Sequence, residues 1–294
     1  MRVGFIGLGN LGKAIARRLL QQGVDLIVWN RTPEKAGDLG VPVAESPADL
    51  VNRVDKVFVI VFDSQASEEV LFGEKGLVQG NVEGKTVIDM TTNHFTYAQL
   101  AFEELAKRGA HYLDAPVLGS VIPAQRGELT IVVGGERERF EECRPLFEKF
   151  CKHIFFVGEA GKASKVKLIN NIVLGGIMEL LAEAVALAER AGIERERMVE
   201  ILDTGAGRSY ILDVKRKKLL EEDFSPHFTV DLIYKDLHYA QDLIKDLGLF
   251  SFTAAAVKET YALARLKGLG KLDFSAVFQL FSGQEDGVRT PSQT

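Results

Sequence analysis

The stretch MRVGFIGLGNLGKAIARRL, residues 1–19, decides the fold of the first half of the chain. An apolar run typical of a buried strand enters a glycine-rich turn and then an amphipathic helix; the turn consists of Gly7, Leu8, Gly9, Asn10, Leu11 and Gly12. Gly7 permits a tight turn, Gly9 lets the backbone approach a pyrophosphate, and Gly12 lets the helix pack closely on the strand. The helix N-terminus adds free N–H groups and the positive end of its dipole. We therefore predict that these six residues bind a dinucleotide cofactor.

Strand and helix patterns alternate from this turn to about residue 158. The apolar runs that predict strands are Val3–Ile6, Leu26–Trp29, Val57–Phe62, Thr86–Met90, His111–Leu113, Leu129–Val133 and Ile154–Val157. The segments between them that predict helices are Leu11–Gln22, Ser67–Phe72, Thr96–Arg108 and Arg137–Phe150. Nearly continuous apolar strands that alternate with helices indicate βαβ units and a parallel sheet covered on both faces. Together with the glycine turn, this pattern predicts an α/β domain of the Rossmann-type, with a doubly wound sheet, over residues 1–160.

A different pattern begins after Gly158. Residues Lys162–Ala191 contain no proline and are rich in Leu, Ile, Val and Ala, which predicts one helix of roughly 45 Å. Its middle is apolar on most faces, so we expect it to be buried in protein. The later predicted helices are Glu194–Leu202, Ser209–Glu221, Val230–Leu247, Ala254–Leu266 and Phe274–Phe281, followed by a polar tail, Gln284–Thr294, that we expect to fray. The sequence thus predicts a long connecting helix at 161–192 and an all-helical domain at 193–294.

The end of the second strand bears on the identity of the cofactor. Enzymes that use NAD usually carry an acidic residue here, which binds the ribose 2′-hydroxyl. This chain has Asn30 followed by Arg31 and Thr32. No carboxylate repels a 2′-phosphate, and a guanidinium is placed to pair with one. The pattern favours NADP(H), with Asn30, Arg31 and Thr32 as cofactor-binding residues.

Composition and charge exclude several classes of function. A formal net charge of −5 with mixed charges gives no basis for nucleic-acid binding. Cys143, Cys151 and the five histidines show no metal-ligand spacing, so we expect no metal site. We find no signal peptide and no apolar run long and uncharged enough to span a membrane. These features predict a cytoplasmic, reducing environment and no membrane association.

Four separated blocks carry a resemblance to a known family. They are GFIGLGNLG at residues 4–12, LDAPVLGS at 113–120, GKASKVKLINN at 161–171 and IYKDLHYA at 233–240. In this order they resemble the β-hydroxyacid dehydrogenase family, which includes 3-hydroxyisobutyrate dehydrogenase, tartronate semialdehyde reductase and glyoxylate/succinic semialdehyde reductase. The resemblance reaches to about Ser282. It implies hydride transfer between NADP(H) and a small carboxylate substrate, either a hydroxy acid or its oxo-acid or semialdehyde partner.

The resemblance implies that Lys167 is the catalytic residue, in a K-x-x-N-N pattern with Asn170 and Asn171. Lys167 and Asn171 lie one helical turn apart and share a face, early in a helix whose continuation is strongly apolar. A partly desolvated lysine at such a place is suited to proton transfer. Its ammonium stabilises negative charge on the substrate oxygen during reduction and delivers the proton. We expect Asn171 to orient the substrate or the lysine.

The LDAPVLGS block follows a strand, so we expect a loop at the carboxyl edge of the sheet, where ligands bind in α/β folds. Leu118, Gly119 and Ser120 are predicted to contact the substrate, with backbone N–H groups holding its carboxylate. The block departs from the family pattern Pro-Val-Ser-Gly, because Leu118 stands where the family has serine. Val121 and Ile122 replace two lysines common in the glyoxylate-type relatives, which makes the rim of the predicted pocket more apolar.

Four further positions rest on the resemblance alone. Thr92 belongs to a run, Asp89–Asn93, that is similar to the family's Asp-x-Ser-Thr stretch beside the nicotinamide. Lys235 and Asp236 match the family's Lys-Asp pair, and Phe228 matches an aromatic residue of the glyoxylate-type relatives. The resemblance implies cofactor contacts for Thr92 and Lys235, and substrate contacts for Phe228 and Asp236.

Two other functions stay open at this point. Leu118 is compatible with a dehydrogenase acting on a 3-hydroxy acid or on a hydroxy amino acid such as serine. A non-catalytic NADP-binding scaffold is the alternative from another class; the nucleosome-associated relatives have lost the lysine, so Lys167 argues against it. Imine reductases share the architecture but usually lack this lysine. The apolar long helix predicts a homo-oligomer, either a homodimer or a homotetramer.

Overall fold

The computed structural model describes residues 2–282, so the predicted polar tail Gln284–Thr294 lies outside the described residues. The strands are β1 Arg2–Ile6, β2 Asp25–Trp29, β3 Lys56–Val59, β4 Thr86–Asp89, β5 His111–Asp114, β6 Val117–Leu118, β7 Leu129–Gly135 and β8 Cys151–Gly158. The α-helices of the first half are α1 Asn10–Gln21, α2 Pro47–Val51, α3 Ser64–Phe72, α4 Phe95–Ala106, α5 Val121–Arg126 and α6 Arg137–Phe147. Those of the second half are α7 Lys162–Arg190, α8 Arg195–Thr204, α9 Tyr210–Glu221, α10 Val230–Asp246 and α11 Phe252–Leu266, with a 3₁₀ helix at Phe274–Leu280.

The strands form one sheet in the order β2-β1-β3-β4-β5-β7-β6, with β8 paired to β7. Strands β1 to β5 pair in parallel. An isolated parallel bridge between Val28 and Val43 extends the sheet beyond β2. Because β2 lies on one side of β1 and β3 on the other, the order of connection reverses at β1. Ligands of open α/β sheets bind at such a switch point, outside the carboxyl ends of the strands. The glycine turn leaves β1 at that place.

Both faces of the sheet are covered by apolar packing. Phe5 and Phe58 belong to one core cluster, whereas Ile6, Val57 and Val59 belong to another. Neighbouring residues of a strand point to opposite faces, so the two clusters lie on the two sides of the sheet. This explains why the strands are nearly continuous in apolar character. The predicted fold class, a doubly wound α/β sheet followed by a long helix and an all-helical region, is confirmed.

The structure differs from the prediction at one edge of the sheet. Strand β7 runs antiparallel to both β5 and β6, so the expected parallel sheet is wrong here. A parallel return needs a long crossover, whereas antiparallel pairing needs only a short connection. The stretch between β6 and β7 holds only the short helix α5. Strand β6 and the short helices α2 and α5 were not predicted, because such short elements carry too few residues for a periodic pattern.

The chain divides into two compact units after Ile169, within helix α7. The second unit contains most of α7 and the helices α8 to α11, and its core includes Met178, Val185, Leu237 and Tyr261. The predicted helices of this half are all present among the described residues, with ends shifted by a few positions. The domain boundaries drawn from the sequence stay a prediction.

Helix α7 corrects the expectation about membrane spans. By length and composition, α7 is long and apolar enough to cross a membrane, although the sequence analysis found no such run. The 18-residue stretch of α7 that meets this criterion is 56% buried inside the protein. A buried core helix meets the same criterion, so this finding carries no assignment to a membrane.

Candidate active site

The glycine turn between β1 and α1 is set by backbone sterics. Gly7 adopts a φ of +98°, and a Cβ at this position would lie 1.9 Å from the carbonyl oxygen of Ile60. A Cβ on Gly12 would lie 2.1 Å from the carbonyl oxygen of Gly7. A Cβ on Gly9, in contrast, would meet nothing within 4 Å. Neighbouring protein atoms therefore leave no room for a side chain at Gly7 and Gly12, whereas a side chain at Gly9 would extend into open space. That arrangement fits the backbone approach that a pyrophosphate needs.

Asn30 connects the glycine turn to the loop that follows β2. Its Oδ1 accepts a hydrogen bond from the Leu8 N–H at 2.8 Å, and its Nδ2 donates to the Thr32 carbonyl at 2.9 Å. The Asn30 side chain thus joins the glycine turn to the loop after β2, and its own predicted contact with the cofactor stays a prediction. Arg31 and Thr32 are exposed, as a contact with a ribose phosphate requires. Their cofactor contacts, and those of Asn10 and Leu11, stay predictions.

A second connection fixes the loop after Arg31. Asp38 forms ion pairs with Lys13, at 2.6 Å, and with Arg17, both on helix α1. The Lys13 hydrogen bond lowers the pKa of the Asp38 carboxyl. The Asp38 carboxylate of this loop is thus already paired with two cations of α1. Sequence reasoning did not find this pair, because the partners are more than twenty positions apart.

Lys167 lies in the second turn of α7 and is only 8% exposed. Its Nζ donates a hydrogen bond to the carbonyl oxygen of Val117, at 2.9 Å. Val117 begins β6, just beyond the carboxyl end of β5. The predicted catalytic lysine therefore reaches the predicted substrate loop, and the structure brings together two of the four sequence blocks.

A buried carboxylate holds the start of the same helix. The carboxylate of Asp114, at the end of β5, accepts hydrogen bonds from the Gly161 N–H at 3.0 Å, the Ser164 N–H at 2.8 Å and the Ser164 hydroxyl at 2.7 Å. We refer to Asp114, Gly161 and Ser164 as the α7 anchor. Burial raises the pKa of Asp114 from 3.8 to about 6, while the bonds from Ser164 oppose that shift. The sequence offered one signal, a lone carboxylate at the end of an apolar strand, but not its partners.

Asp89 forms a second buried polar centre at the end of the neighbouring strand β4. Its Oδ2 accepts from the Ser67 hydroxyl at 2.6 Å and from the Asn93 amide at 2.8 Å, and its Oδ1 accepts from the Thr91 N–H at 2.9 Å. Burial raises the pKa of this carboxyl. These bonds shape the loop that carries Thr92, which is half-buried. The predicted contact of Thr92 with the cofactor stays a prediction.

The predicted substrate loop has an unusual backbone. Gly119 has a φ of +114°, a conformation that favours glycine, and its Cβ would lie 2.7 Å from a Leu129 methyl carbon. Leu118 and Ser120 are half-buried, and Ser120 directly precedes helix α5 without capping it through its side chain. The loop thus presents backbone and one small hydroxyl residue, while Leu118 adds apolar surface.

In the helical unit, Asn171 and Asp236 form a buried pair. The Asn171 Nδ2 donates to Asp236 Oδ2 at 2.6 Å, and Lys235 Nζ lies 2.9 Å from Asp236 Oδ1. Both Asn171 and Asp236 have no exposed surface. Asp236, which was predicted to contact substrate, therefore orients Asn171. Its own substrate contact, like the cofactor contact of Lys235, stays a prediction.

Phe228 packs as a core residue on one side. It is half-buried, and its ring meets that of Phe274 edge-on with centroids 5.7 Å apart. Its predicted contact with substrate stays a prediction. Among residues 2–282, no group of three or more His, Cys, Asp or Glu side chains is arranged to hold a metal ion.

Comparison with known proteins identifies the family. Residues 2–158 match the family described as the NAD binding domain of 6-phosphogluconate dehydrogenase. Residues 161–281 match the family described as NAD-binding of NADP-dependent 3-hydroxyisobutyrate dehydrogenase. The chain belongs to the β-hydroxyacid dehydrogenase family. This is a family of oxidoreductases that bind a nicotinamide cofactor.

Individual relatives match 95% or 96% of the chain. Glyoxylate/succinic semialdehyde reductase 1 of Arabidopsis thaliana is 34% identical over 95% of this chain and 98% of that protein. The cytokine-like nuclear factor N-PAC of Homo sapiens is 35% identical over 95% of this chain but 51% of its own length. The chain thus spans about half the length of the N-PAC relatives that it matches. A crystal structure of 3-hydroxyisobutyrate dehydrogenase from Salmonella typhimurium has a TM-score of 0.89 at 28% identity, covering 96% of this chain and 100% of that one.

Proposed function

We propose that the chain is an NADP(H)-dependent oxidoreductase that transfers hydride between the nicotinamide and a small hydroxy acid, oxo acid or semialdehyde. Lys167 is the proton donor and acceptor. The observation that carries this proposal is the buried Lys167 ammonium, which donates to the Val117 carbonyl at 2.9 Å. A desolvated cation at the carboxyl edge of the sheet is suited to stabilising charge on a substrate oxygen.

The chemistry follows from that placement. The bound cofactor supplies or accepts the hydride. During reduction the substrate carbonyl oxygen gains negative charge, and the Lys167 ammonium stabilises this charge and donates a proton to the oxygen. During oxidation the neutral amine of Lys167 accepts the hydroxyl proton. Asn171, whose amide is held by Asp236, orients the substrate or the lysine.

The preference for NADP(H) is supported by the loop after β2. Arg31 is exposed, and Asn30 replaces the acidic residue that would repel a 2′-phosphate. The Asn30 side chain supports the same preference for NADP(H). Its amide oxygen already accepts a hydrogen bond from the Leu8 N–H, and its NH₂ group donates to the Thr32 carbonyl. The second matched family is described as NADP-dependent, which agrees with this preference.

The substrate is proposed to be a short carboxylate held by the loop at Gly119 and Ser120. The similarity to glyoxylate/succinic semialdehyde reductase supports oxo acids and semialdehydes as the substrate class. Leu118 and the exposed Ile122 make this loop less polar than the family pattern. Reduction of a substrate with an apolar substituent, such as methylmalonate semialdehyde, is favoured by that difference.

The test is a set of initial rates on four oxo substrates with NADPH and with NADH. The substrates are glyoxylate, succinic semialdehyde, methylmalonate semialdehyde and tartronate semialdehyde. The reverse panel, with NADP⁺, contains 3-hydroxyisobutyrate, 4-hydroxybutyrate, glycerate and serine. Wild type is compared with Lys167→Ala and with the control Lys162→Ala, since Lys162 is an exposed lysine on the same helix.

We expect turnover with a preference for NADPH and a loss of kcat in Lys167→Ala of about 10²- to 10⁴-fold. Lys162→Ala should retain the wild-type rate. A clear preference for serine would support the hydroxy amino acid alternative. Tight NADPH binding without turnover of any substrate would overturn the proposal and favour the non-catalytic scaffold.

We also propose that the chain forms a homo-oligomer in a reducing compartment such as the cytoplasm. Exposed apolar residues recur along α7 at the spacing of one helix face; they are Val166, Ile169, Val173, Leu180 and Leu187. Cys143 and Cys151 are unpaired and buried, which suits a reducing compartment. Sedimentation that finds only a 32.4 kDa monomer at micromolar concentration would contradict the oligomer. Fractionation of cells that recovers the protein outside the cytoplasm would contradict the location.

A further inference from the structure

Helix α7 is joined to the end of β5 at two points. At its first turn, the α7 anchor links Asp114 to Gly161 and Ser164 through three hydrogen bonds. One turn further along, the Lys167 ammonium donates to Val117, which lies three positions after Asp114. All of these residues belong to the first unit. The two connections join the short segment 114–117, at both of its ends, to the first two turns of α7. The position of the Lys167 backbone therefore depends on the anchor.

The anchor is more than an ordinary helix cap. Capping side chains usually come from the residue just before the helix, whereas Asp114 reaches α7 from a strand about fifty positions earlier. Its carboxylate is fully buried and meets N–H and O–H donors instead of a cation. The donors at a helix N-terminus and the positive end of the dipole stabilise a buried anion. The chain thus buries a charged group at one of the two points where the segment 114–117 is joined to α7.

Gly161 allows the helix to begin there. Its φ is +86°, and a Cβ would lie 2.9 Å from both the Phe95 carbonyl oxygen and the Gln99 side chain. The backbone can therefore turn its N–H toward Asp114 only with glycine at this position. This close approach limits the register in which α7 can start against β5.

We propose that Asp114 is the positioning residue for Lys167, acting through Ser164 and the first turn of α7 to hold the ammonium where a substrate oxygen is protonated. This inference rests on the proposed function. It assigns to the aspartate of the LDAPVLGS block a role in the rate of the chemical step. Cofactor binding at the glycine turn is separate from the anchor and does not depend on it.

The variants that test this are Asp114→Asn, Ser164→Ala and the double variant Asp114→Asn/Lys167→Ala. Asp114→Asn keeps the size of the side chain but replaces one of the two accepting oxygens with an NH₂ group, which cannot accept hydrogen bonds from Gly161 and Ser164. We expect its kcat to fall about 100-fold, as for a catalytic group displaced by about 1 Å, with KM for NADPH within twofold of wild type. Ser164→Ala, which removes one of the three bonds, should give a smaller fall in kcat and carries the test alone if Asp114→Asn does not fold.

Two comparisons separate positioning from general stability. Ser46 caps α2, because its Oγ accepts a hydrogen bond from the Asp49 N–H at 3.0 Å. The variant Ser46→Ala removes this cap. It should lower Tm without changing kcat, whereas Ser164→Ala should change both. The double variant should be no slower than Lys167→Ala alone, because a residue that acts through Lys167 has no effect once the lysine is gone. An unchanged kcat in Ser164→Ala, or additive losses in the double variant, would overturn the inference.

A readout that does not use turnover separates this inference from the proposed function. Hydrogen exchange over residues 159–170, and acetylation of Lys167 by acetic anhydride at fixed pH, should both rise in Asp114→Asn and remain at wild-type levels in Ser46→Ala. If Lys167→Ala keeps full activity, the proposed function fails while exchange still reports on the anchor. If exchange and acetylation do not change in Asp114→Asn, the positioning role fails even where Lys167 proves catalytic.

Discussion

The glycine turn and the α7 anchor both lie at carboxyl ends of parallel strands in the same sheet, but they are built in different ways. The turn spans six consecutive residues, and its shape follows from where a Cβ has room. The anchor joins residues 47 to 50 positions apart through a buried carboxylate. The turn is set by steric contacts, of Gly12 with Gly7 and of Gly7 with Ile60 just after β3, whereas the anchor depends on a buried carboxylate from the end of another strand. The glycines of the proposed cofactor side are therefore recognisable as a sequence motif, whereas the proposed catalytic side depends on contacts between distant residues.

The two regions also differ in charge. Asn30 joins the glycine turn to the next loop as a neutral amide, and the Asp38 carboxylate near the turn is paired with Lys13 and Arg17. The catalytic side contains Asp114 and, beside it in the register of β4 and β5, Asp89. Each carboxylate is fully buried and has a raised pKa. Substitutions in the turn should thus mainly change stability, through steric clashes, and cofactor binding. Substitutions on the proposed catalytic side should mainly change kcat and the pH dependence of stability.

The largest loss of stability is expected when one methyl group is added inside the turn. Gly7→Ala introduces a Cβ 1.9 Å from a carbonyl oxygen at a positive φ, so we expect a loss of unfolding free energy of about 3 kcal/mol or more. Gly9→Ala is the matched control, since its Cβ meets no protein atom within 4 Å. It should leave Tm near that of wild type and weaken NADPH binding. Denaturant unfolding and NADPH titration measure both effects. Equal stability losses in the two variants would contradict the steric account.

Asn30→Ala tests whether the turn needs its connection to the next loop. The change leaves the Leu8 N–H and the Thr32 carbonyl without their partner. An unpaired buried N–H costs about 1–3 kcal/mol, so we expect a lower unfolding free energy together with weaker NADPH binding. Asn30→Asp keeps the acceptor for Leu8 and adds a negative charge, so it should shift preference toward NADH. Unchanged stability in Asn30→Ala would mean that the connection is not needed.

Arg31→Ala isolates the charge that the sequence assigns to the 2′-phosphate. The residue is exposed, so its removal should not affect folding. We expect KM for NADPH to rise about tenfold, as for loss of one charge-assisted hydrogen bond, while KM for NADH stays the same. Steady-state kinetics with both cofactors measure the ratio. A parallel rise in both KM values would contradict a specific role for the 2′-phosphate.

A further expected effect is a pH dependence of stability that comes from the anchor. The pKa of Asp114 is raised from 3.8 to about 6, so the folded chain holds this proton more tightly than the unfolded chain. Its contribution to stability is fully present below about pH 4 and is lost as the pH rises through 6. Asp114→Asn cannot titrate, so its unfolding free energy should fall less steeply over that range. Parallel curves for the two proteins from pH 4 to 7 would contradict the shift.

Prediction from sequence succeeded where a feature is periodic or steric. The strands up to β5, the strand β8 and the helices α1, α4 and α7 were found because their apolar pattern is long and regular. The antiparallel edge at β7 was missed, because pairing direction depends on the length and path of a connection rather than on the strand's own residues. For the candidate site, Lys167 was predicted through the resemblance and its catalytic role stays a prediction, whereas its hydrogen bond to Val117 and the anchor were not predicted.

Local sequence is sufficient to predict the glycine turn, the order of the longer strands and helices, the apolar long helix and the lack of an acidic residue directly after β2. Each of these depends on the conformational freedom of a few neighbouring residues or on a period of two or 3.6 residues. The folded structure, in contrast, is needed to show that Asp114 holds the start of α7, that Asp236 holds Asn171, and that Lys167 reaches Val117. A buried polar group must be satisfied by whichever donors the packed chain brings to it. No local pattern specifies a partner fifty residues away.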